Sequence, residues 1–335
     1  MNYFWLSIEI IFTILIATSC GVILARKKIL HELALKDLTN VLVYLIMPCL
    51  LFSKIISAIS FDALKELWVL PVAALVNISG GLFVGFILSM FCGRQADFKR
   101  VIIVSSAFSN CAYIPFVIIA AIVFQAPELF MDKEAAAKGI TYISLYFVPA
   151  ILLIWLVAYP ILARHKITNL KMDKIITPPV IVTFMAIILG LIPWTKSLFV
   201  GRDAPLGMFQ QAALILGGAT MPIALLILGG NLANSYGKIK INFSTVFLTV
   251  IGKYLFAPLI AVLFLILIKS LGWKGTPMMS FIILLEGFMP PAMNLVIISQ
   301  FADSNKENMA ALMFWMYLIS IPVMTIWLAV AMKLI

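Results

Sequence analysis

Charged side chains are scarce in this sequence. Of its 335 residues, 64% are hydrophobic and only 11% are Asp, Glu, Lys or Arg. A soluble domain carries about 25% charged residues, so this chain could not cover a surface in water. The composition excludes a soluble enzyme and a disordered protein. It also excludes a nucleic-acid binder, although the net charge is +10, because membrane proteins concentrate basic residues in their cytosolic loops.

The residue patterns of catalysis and metal binding are missing as well. His31-Glu32 is not followed by the second histidine of an H-E-x-x-H zinc site, and the other histidine, His165, lies in a loop. The four cysteines are far apart and form no C-x-x-C pair. We therefore expect no enzyme, no metal site and no cofactor, apart from a coupling H⁺ or Na⁺.

Long apolar runs dominate the sequence instead. A bilayer core about 30 Å thick needs roughly 20 helical residues, and ten runs of about that length occur. They cover residues 4–24, 38–57, 68–91, 101–124, 140–163, 178–194, 206–231, 244–268, 276–301 and 309–332. The connections are short, so the sequence predicts an all-α protein that spans the lipid bilayer ten times and has no soluble domain.

Basic residues are divided unevenly between the two sides of these spans. The loops after spans 1, 3, 5, 7 and 9 hold 14 Lys and Arg, the opposite side holds 9, and Lys253 lies inside span 8. The positive-inside rule then places both termini outside the cytosol. Basic residues follow span 1 and do not precede it, which predicts an uncleaved first helix. We expect a plasma or inner membrane, or the endoplasmic reticulum membrane in a eukaryote.

The two halves of the sequence share short matches in the same order. The matching segments are Met47-Pro48 with Met221-Pro222, Leu82-Phe83 with Leu255-Phe256, Ile154-Trp155-Leu156 with Ile326-Trp327-Leu328, and Pro115 with Pro291. Their offsets lie between 172 and 176, which indicates two five-helix halves, residues 1–163 and 177–335, joined by a cytosolic linker, 164–176. Because five is odd, the second half is inverted, and inverted repeats are typical of secondary transporters.

Spans 4 and 9 cannot be straight helices. Span 4 reads Ser-Asn-Cys-Ala-Tyr-Ile-Pro over residues 109–115, and span 9 contains the tandem Pro290-Pro291. Proline removes an N–H and clashes with the preceding turn, and the freed carbonyl groups cannot face lipid. A simple kink is the alternative for either span alone. Breaks at matching places in both halves favour a substrate site near the membrane midplane.

Polar residues beside these breaks are the candidate substrate contacts. An offset of 176 places Asn110 opposite Glu286, each five residues before a proline. The half-helix N-termini expected at Pro115 and at Pro290-Pro291 carry unpaired N–H groups and suit a carboxylate. We therefore predict that the substrate contacts are Asn110, Tyr113, Pro115, Pro290, Pro291 and Asn294.

Glu286 is an acidic residue at the centre of a span. A charge there costs roughly 2.5 to 3.5 kcal/mol on insertion scales, so a proton, a cation or a partner should neutralise it. Lys253 in span 8 is the candidate partner. Two interpretations stay open: Glu286 and Lys253 form a structural ion pair only, or they couple transport to H⁺ or Na⁺ and balance the charge of an anionic substrate.

At these residues the sequence resembles the auxin efflux carrier family, which includes plant PIN and PIN-like carriers, fungal relatives and bacterial malate permease-like proteins. The resemblance covers nearly the whole chain and is most specific at Met289-Pro-Pro-Ala-Met-Asn294. Weaker matches are Leu45-Ile-Met-Pro-Cys-Leu-Leu-Phe52, the segment from Asn110 to Pro115, and Leu228-Gly-Gly-Asn-Leu-Ala233.

The resemblance implies a ten-helix fold like that of bile-acid symporters and Na⁺/H⁺ antiporters. Spans 1, 2, 6 and 7 would form a scaffold, and spans 3–5 and 8–10 a moving transport domain whose crossover lies in spans 4 and 9. It also implies elevator-type transport of an organic anion, with a homodimer formed through the scaffold.

Three departures from the plant carriers bear on the substrate. Span 4 lacks their N-P-N-T-Y string, no long hydrophilic loop follows span 5, and span 3 has no acidic residue after Glu66. These departures favour a malate-like carboxylate, with efflux of an auxin-like indole carboxylate as the alternative. A hypothesis from another class is a membrane receptor that binds an anion without transporting it.

Overall fold

The regular structure of the protein is helical. The computed structural model describes residues 2–93, 96–130, 132, 134–163, 177–201, 203–235, 241–301 and 306–335, so the predicted linker 164–176 lies outside the described residues. The helices are α1 (Tyr3–Arg26), α2 (Glu32–Ala58), α3 (Phe61–Leu67), α4 (Val69–Ser89), α5 (Ala96–Ala107), α6 (Tyr113–Gln125), α7 (Ala135–Ala163), α8 (Pro178–Leu191), α9 (Pro193–Phe199), α10 (Gly207–Gly218), α11 (Thr220–Ser235), α12 (Phe243–Ser270), α13 (Pro277–Phe288), α14 (Asn294–Phe301) and α15 (Lys306–Leu334).

Seven helical stretches of the described chain are long and apolar enough to cross a membrane. They are Tyr3–Arg26, Glu32–Ala58, Lys65–Ser89, Ala135–Ala163, Gly207–Asn234, Phe243–Ser270 and Asn308–Leu334. An eighth results if α8 and α9, which meet at 111°, count as one bent span. The protein is therefore an all-helical, multi-span membrane protein, as its composition predicts.

The second apolar run belongs to a longer helix than predicted. Helix α2 begins at Glu32, six residues before residue 38, and the Nδ1 atom of His31 accepts a hydrogen bond from the Ala34 amide at 3.2 Å. The first turns of α2 contain charged side chains, so they do not belong to an apolar run although they are helical. His31 is thus a helix cap.

The sixth predicted span, 178–194, is not one straight helix. Helix α8 ends at Leu191, Ile192 is extended (φ −85°, ψ 113°), and Pro193 begins α9 in a new direction. Because a residue before proline avoids the α conformation, the helix breaks there. The predicted boundary at residue 194 is wrong for this reason.

Three of the long helices contain a wide turn, in which an amide bonds to the carbonyl five residues back. These π-helical turns cover Leu42–Ile46, Ile154–Ala158 and Ile251–Phe256, and the second residue after each turn is Pro48, Pro160 or Pro258, respectively. Proline supplies no N–H to the carbonyl four residues earlier. In α12 that carbonyl belongs to Tyr254, and the indole N–H of Trp327 donates to it at 2.9 Å.

Most of the long helices pack on several others. Helix α1 packs on α11 and α15, and α2 on α7, α8 and α10; α4 packs on α5, α7 and α12, and α13 on α7, α12 and α15. Lipid is as apolar as these side chains, so close approach of the helices contributes more than hydrophobic burial. A Cβ atom on Gly229 would strike the carbonyl oxygen of Thr18, and α1 and α11 therefore touch backbone to backbone.

Candidate functional site

Two helix breaks lie against each other. Helix α5 ends at Ala107 and α6 begins at Tyr113, while α13 ends at Phe288 and α14 begins at Asn294. The intervening segments, 108–112 and 289–293, cross in antiparallel fashion. The crossing of these two segments is called the crossover below. The predicted segments 101–124 and 276–301 therefore each contain a helix break.

Backbone hydrogen bonds hold the crossover together. The amide of Asn110 donates to the carbonyl of Pro290 at 2.7 Å, and the amide of Ala292 donates to the carbonyl of Phe108 at 2.9 Å. Pro290 and Pro291 have no N–H and cannot continue a helix, and the Met289 backbone is extended (ψ 146°). The breaks therefore satisfy part of each other's backbone polarity, as a non-helical segment at membrane depth must.

The two breaks do not align as the sequence offset of 176 predicts. Their helices end at residues 107 and 288 and resume at residues 113 and 294, a displacement of 181 in both cases. Asn110 lies within a break, whereas Glu286 lies inside α13, two residues before its end. Asn110 and Glu286 are therefore not equivalent, because the prolines occupy different places in the two breaks.

Each break is followed by a new helix N-terminus. Pro115 is the third residue of α6, close to the predicted place. Helix α14 begins at Asn294, three residues after Pro291, so the predicted N-terminus at Pro290-Pro291 is wrong. The amide of Ala292 donates to the Phe108 carbonyl, and the helix begins only after this bond. Both N-termini carry about half a positive charge.

A cavity of about 340 Å³ ends on the crossover. Its lining includes three of the predicted substrate contacts, Asn110, Tyr113 and Asn294. The other walls come from the wide turns and their neighbourhoods, and contain Thr39, Asn40, Val43, Tyr44, Met47, Tyr146, Phe147, Ala150, Ile151, Ile154 and Trp155. Among the described residues the lining has no Lys, Arg, Asp, Glu or His, so its polar groups are neutral amides and hydroxyls.

The remaining predicted site residues do not line this cavity. Pro115, Pro290 and Pro291 are buried, as are Lys253 and Glu286, which are 1% and 0% exposed. The three prolines act on the backbone: Pro290 and Pro291 lie within the second break, and Pro115 lies in the first turn of α6, where its missing N–H has no partner to lose. Lys253 and Glu286 lie behind it.

Lys253 reaches the crossover through a side-chain hydrogen bond. Its Nζ donates to Ser109 Oγ at 2.5 Å, and Ser109 itself lines the cavity. Both carboxylate oxygens of Glu286 are buried and have no hydrogen-bond partner within the described chain. Lys253 and Glu286 are within electrostatic range of each other, but the predicted direct ion pair is not formed here, because the ammonium group is directed to Ser109.

Several residues at the site carry no motif in the sequence. Tyr317 of α15 accepts a hydrogen bond from Asn110 Nδ2 at 2.9 Å and donates one to the carbonyl of Pro291 at 3.1 Å. Tyr146 of α7 accepts one from Asn77 at 2.9 Å. In the sequence, Tyr146 and Tyr317 are marked only as polar residues within apolar spans. A buried hydroxyl needs a partner, although the sequence does not identify which.

These features define a multi-span membrane protein with a broken-helix crossover beside a cavity. Residues 6–328 match the family described as membrane transport protein, and the chain belongs to this family, that of the auxin efflux carriers. The predicted resemblance is confirmed.

Similar proteins from Arabidopsis thaliana share modest identity over most of their length. Protein PIN-LIKES 1 is 26% identical over 94% of this chain and 76% of its own, and Protein PIN-LIKES 3 is 23% identical over 94% and 93%. Protein PIN-LIKES 6 is 25% identical over 94% and 90%. The similarity is therefore a whole-chain similarity.

Proposed function

We propose that this protein is a secondary active transporter that carries a small organic anion by elevator-type alternating access. The cavity that ends on the crossover carries the proposal, since Asn110, Asn294 and the N-termini of α6 and α14 converge there. Amide donors and helix N-termini suit a carboxylate. A lining without fixed charge binds such an anion and also releases it, as a transporter must.

The proposed topology has ten crossings in two inverted halves, 1–163 and 177–335. Helices α5 and α6 would together make the fourth crossing and α13 and α14 the ninth, which supplies the crossings that length alone does not identify. Breaks of equal length in the two halves support this arrangement. Inverted repeats with broken helices at the midplane are a transporter architecture.

The proposed elevator motion divides the helices into a scaffold and a transport domain. Helices α1, α2 and α8 to α11 form the scaffold, and the crossover helices with α4, α7, α12 and α15 move against it. The packing of α1 on α11 and of α2 on α8 and α10 supports this division. Exposed apolar side chains on α1, such as Phe12 and Ile16, would face lipid or a second copy in a homodimer.

The cavity is proposed to open to the cytosol. Thr39 and Asn40 near the start of α2, and Thr177 directly before α8, belong to its lining. These helix starts follow the basic segments 26–28 and 164–174, which the positive-inside rule assigns to the cytosol. The conformation would therefore receive substrate from the cytosol, with both termini on the other side.

Glu286 and Lys253 are proposed to couple transport or to balance charge. A buried carboxylate whose oxygens lack hydrogen bonds is costly unless it is neutralised. Lys253 touches Ser109 of the cavity wall, so the entry of an anion would act directly on the position of this ammonium group. A coupling H⁺ or Na⁺ would act on Glu286.

The proposed substrate is one of two kinds of carboxylate. A malate-like carboxylate follows from the departures of the sequence from the plant carriers. The lining favours the other candidate, an auxin-like indole carboxylate, because Tyr44, Tyr113 and Trp155 surround a mostly apolar space and no basic side chain in the described lining would pair a second carboxylate.

Uptake into proteoliposomes tests the function. The purified protein is reconstituted and assayed with radiolabelled malate in one arm and radiolabelled indole-3-acetate in the other. We expect saturable uptake of one of them and its loss in Asn110→Ala. Gln210→Ala is the matched control, because it removes an amide hydrogen bond, to Ser57 Oγ at 2.8 Å, away from the cavity.

Three results would contradict the proposal in different ways. Binding of an anion without flux would favour the receptor hypothesis. Equal loss of uptake in the Gln210 control would remove the assignment of Asn110. Absence of both uptake and binding of either compound would overturn the choice of a small carboxylate.

A further inference from the structure

Tyr317 joins both breaks of the crossover to a third helix. Its hydroxyl lies 2.9 Å from Asn110 Nδ2 in the first break and 3.1 Å from the Pro291 carbonyl oxygen in the second. The side chain comes from α15 and is 4% exposed. A single hydroxyl therefore contacts two segments that are far apart in sequence, and Tyr317 is not among the residues that line the cavity.

The direction of these two hydrogen bonds follows from counting protons. A carbonyl oxygen only accepts, so the one hydroxyl proton of Tyr317 goes to Pro291. The hydroxyl oxygen must then accept from Asn110, and the amide nitrogen of Asn110 has to face it. If the amide were turned over, Asn110 Oδ1 would face the Tyr317 hydroxyl. The single hydroxyl proton could then serve only one of the two carbonyl oxygens, that of Asn110 or that of Pro291.

The orientation of the Asn110 amide determines what it offers to the cavity. One N–H of Nδ2 donates to the Tyr317 hydroxyl, and the main-chain N–H of Asn110 donates to the Pro290 carbonyl. The second N–H of Nδ2 and the carbonyl Oδ1 remain. A carboxylate only accepts hydrogen bonds, so the remaining N–H is the group that can bind it, and it is useful only when the amide is held in one orientation.

We propose that Tyr317 is a positioning residue that orients the Asn110 amide for the anion. This inference rests on the proposed function of the cavity and adds to it a residue that does not line the cavity. Tyr317 acts through Asn110, and its ring is not expected to touch the substrate. The two backbone bonds of the crossover do not depend on its hydroxyl.

The variant Tyr317→Phe keeps the ring and removes the hydroxyl. The matched control is Tyr254→Phe, because the Tyr254 hydroxyl is equally buried and donates to a backbone carbonyl of α15, that of Met316, at 2.6 Å and not to a crossover carbonyl. The Kd values for malate and for indole-3-acetate are measured on purified protein, together with the midpoint of thermal unfolding.

We expect the Kd of whichever compound the wild type binds to rise about tenfold in Tyr317→Phe, the equivalent of one neutral hydrogen bond. In transport the same change should appear as a raised KM with nearly unchanged kcat. Tyr254→Phe should alter the unfolding midpoint only. In an Asn110→Ala background, Tyr317→Phe should have no further effect on Kd, because the amide that it orients is gone.

Each other result overturns the inference. An unchanged Kd in Tyr317→Phe, an equal change in Tyr254→Phe, or effects of Tyr317→Phe and Asn110→Ala that multiply would reduce Tyr317 to a structural residue while the proposed function stands. Failure of the wild type to bind either compound would overturn the proposed function, and the positioning role with it.

Discussion

The main-chain amide of Asn110 donates a 2.7 Å hydrogen bond to the carbonyl of Pro290, and this bond joins two helix breaks from opposite halves of the chain. Its partner, from Ala292 to Phe108, completes a two-bond antiparallel crossing. Prolines that end a helix usually leave backbone groups exposed. Here each break supplies a partner for the other, and that arrangement permits a non-helical segment among membrane-spanning helices.

The first prediction concerns helix packing at adjacent glycines. A Cβ atom on Gly217 would lie 2.6 Å from the backbone of Leu50, while one on Gly218 would meet nothing within 4 Å. Gly217→Ala should force α10 away from α2 and destabilise the protein by about 1–3 kcal/mol. Gly218→Ala should be neutral or slightly stabilising, since alanine favours helix by up to about 1 kcal/mol.

Thermal unfolding in one detergent measures both glycine variants. A lower midpoint for Gly217→Ala beside an unchanged or higher one for Gly218→Ala is the expected pattern. Equal effects of the two substitutions would mean that α2 and α10 do not approach as closely as described.

The second prediction concerns the wide turn of α12. Trp327→Phe removes the donor to the Tyr254 carbonyl, a buried acceptor that Pro258 leaves without its usual amide, and should cost about 1–3 kcal/mol. Pro258→Ala restores that amide. The cost of Trp327→Phe should therefore be smaller in the Pro258→Ala background, and a double-mutant cycle on unfolding midpoints measures the difference.

If the two changes prove additive, the indole does not compensate for the proline. Trp315→Phe serves as the control substitution, since this side chain on the same helix is 44% exposed. It should leave the midpoint nearly unchanged in both backgrounds.

The third prediction concerns Glu286. Its carboxylate is fully buried without hydrogen bonds in the described chain, so its charge state must be set by a proton, a cation or Lys253. Glu286→Gln cannot titrate and should abolish or shift the pH or Na⁺ dependence of uptake. Rates measured across a pH series, with and without Na⁺, test this expectation.

Glu9→Gln is the control for that experiment, because Glu9 is exposed on α1 and its substitution should leave both dependences intact. A Glu286→Gln protein that transports with wild-type pH and Na⁺ profiles would assign Glu286 a structural role only.

The fourth prediction is a pH dependence outside the membrane spans. The hydrogen bond from Lys138 Nζ at 2.7 Å, followed by that from the Glu134 amide at 2.8 Å, lowers the pKa of the Asp132 carboxyl from 3.8. A lowered pKa in the folded state stabilises it above pH 3.8, and this stabilisation is lost as the pH falls through the folded pKa. Because the two side chains are 33% and 35% exposed, the effect should stay below about 1 kcal/mol.

Unfolding midpoints of the wild type and of Asp132→Asn, compared between about pH 6 and about pH 2, measure this contribution. The difference between them should be largest near neutral pH and should vanish in acid. Glu128→Gln, at an exposed position, serves as the control substitution. A constant difference for Asp132→Asn would exclude the linkage.

The sequence alone determined the class of the protein and the location of its irregularities. With only 11% charged residues, the chain could not cover a surface in water, which makes it a membrane protein. Pro115, Pro290 and Pro291 lie at or next to the breaks, because proline restricts its own backbone in any surroundings. The same missing N–H of proline explains the three wide turns before Pro48, Pro160 and Pro258.

Only the tertiary structure decided which groups meet. The sequence paired Asn110 with Glu286 and Glu286 with Lys253, whereas Asn110 bonds to Pro290 and Tyr317, and Lys253 bonds to Ser109. Apolar spans look alike from any side, so their periodicity does not say which helices are neighbours. The partners of buried polar atoms are set by helix packing, and that is a property of the whole chain rather than of any segment.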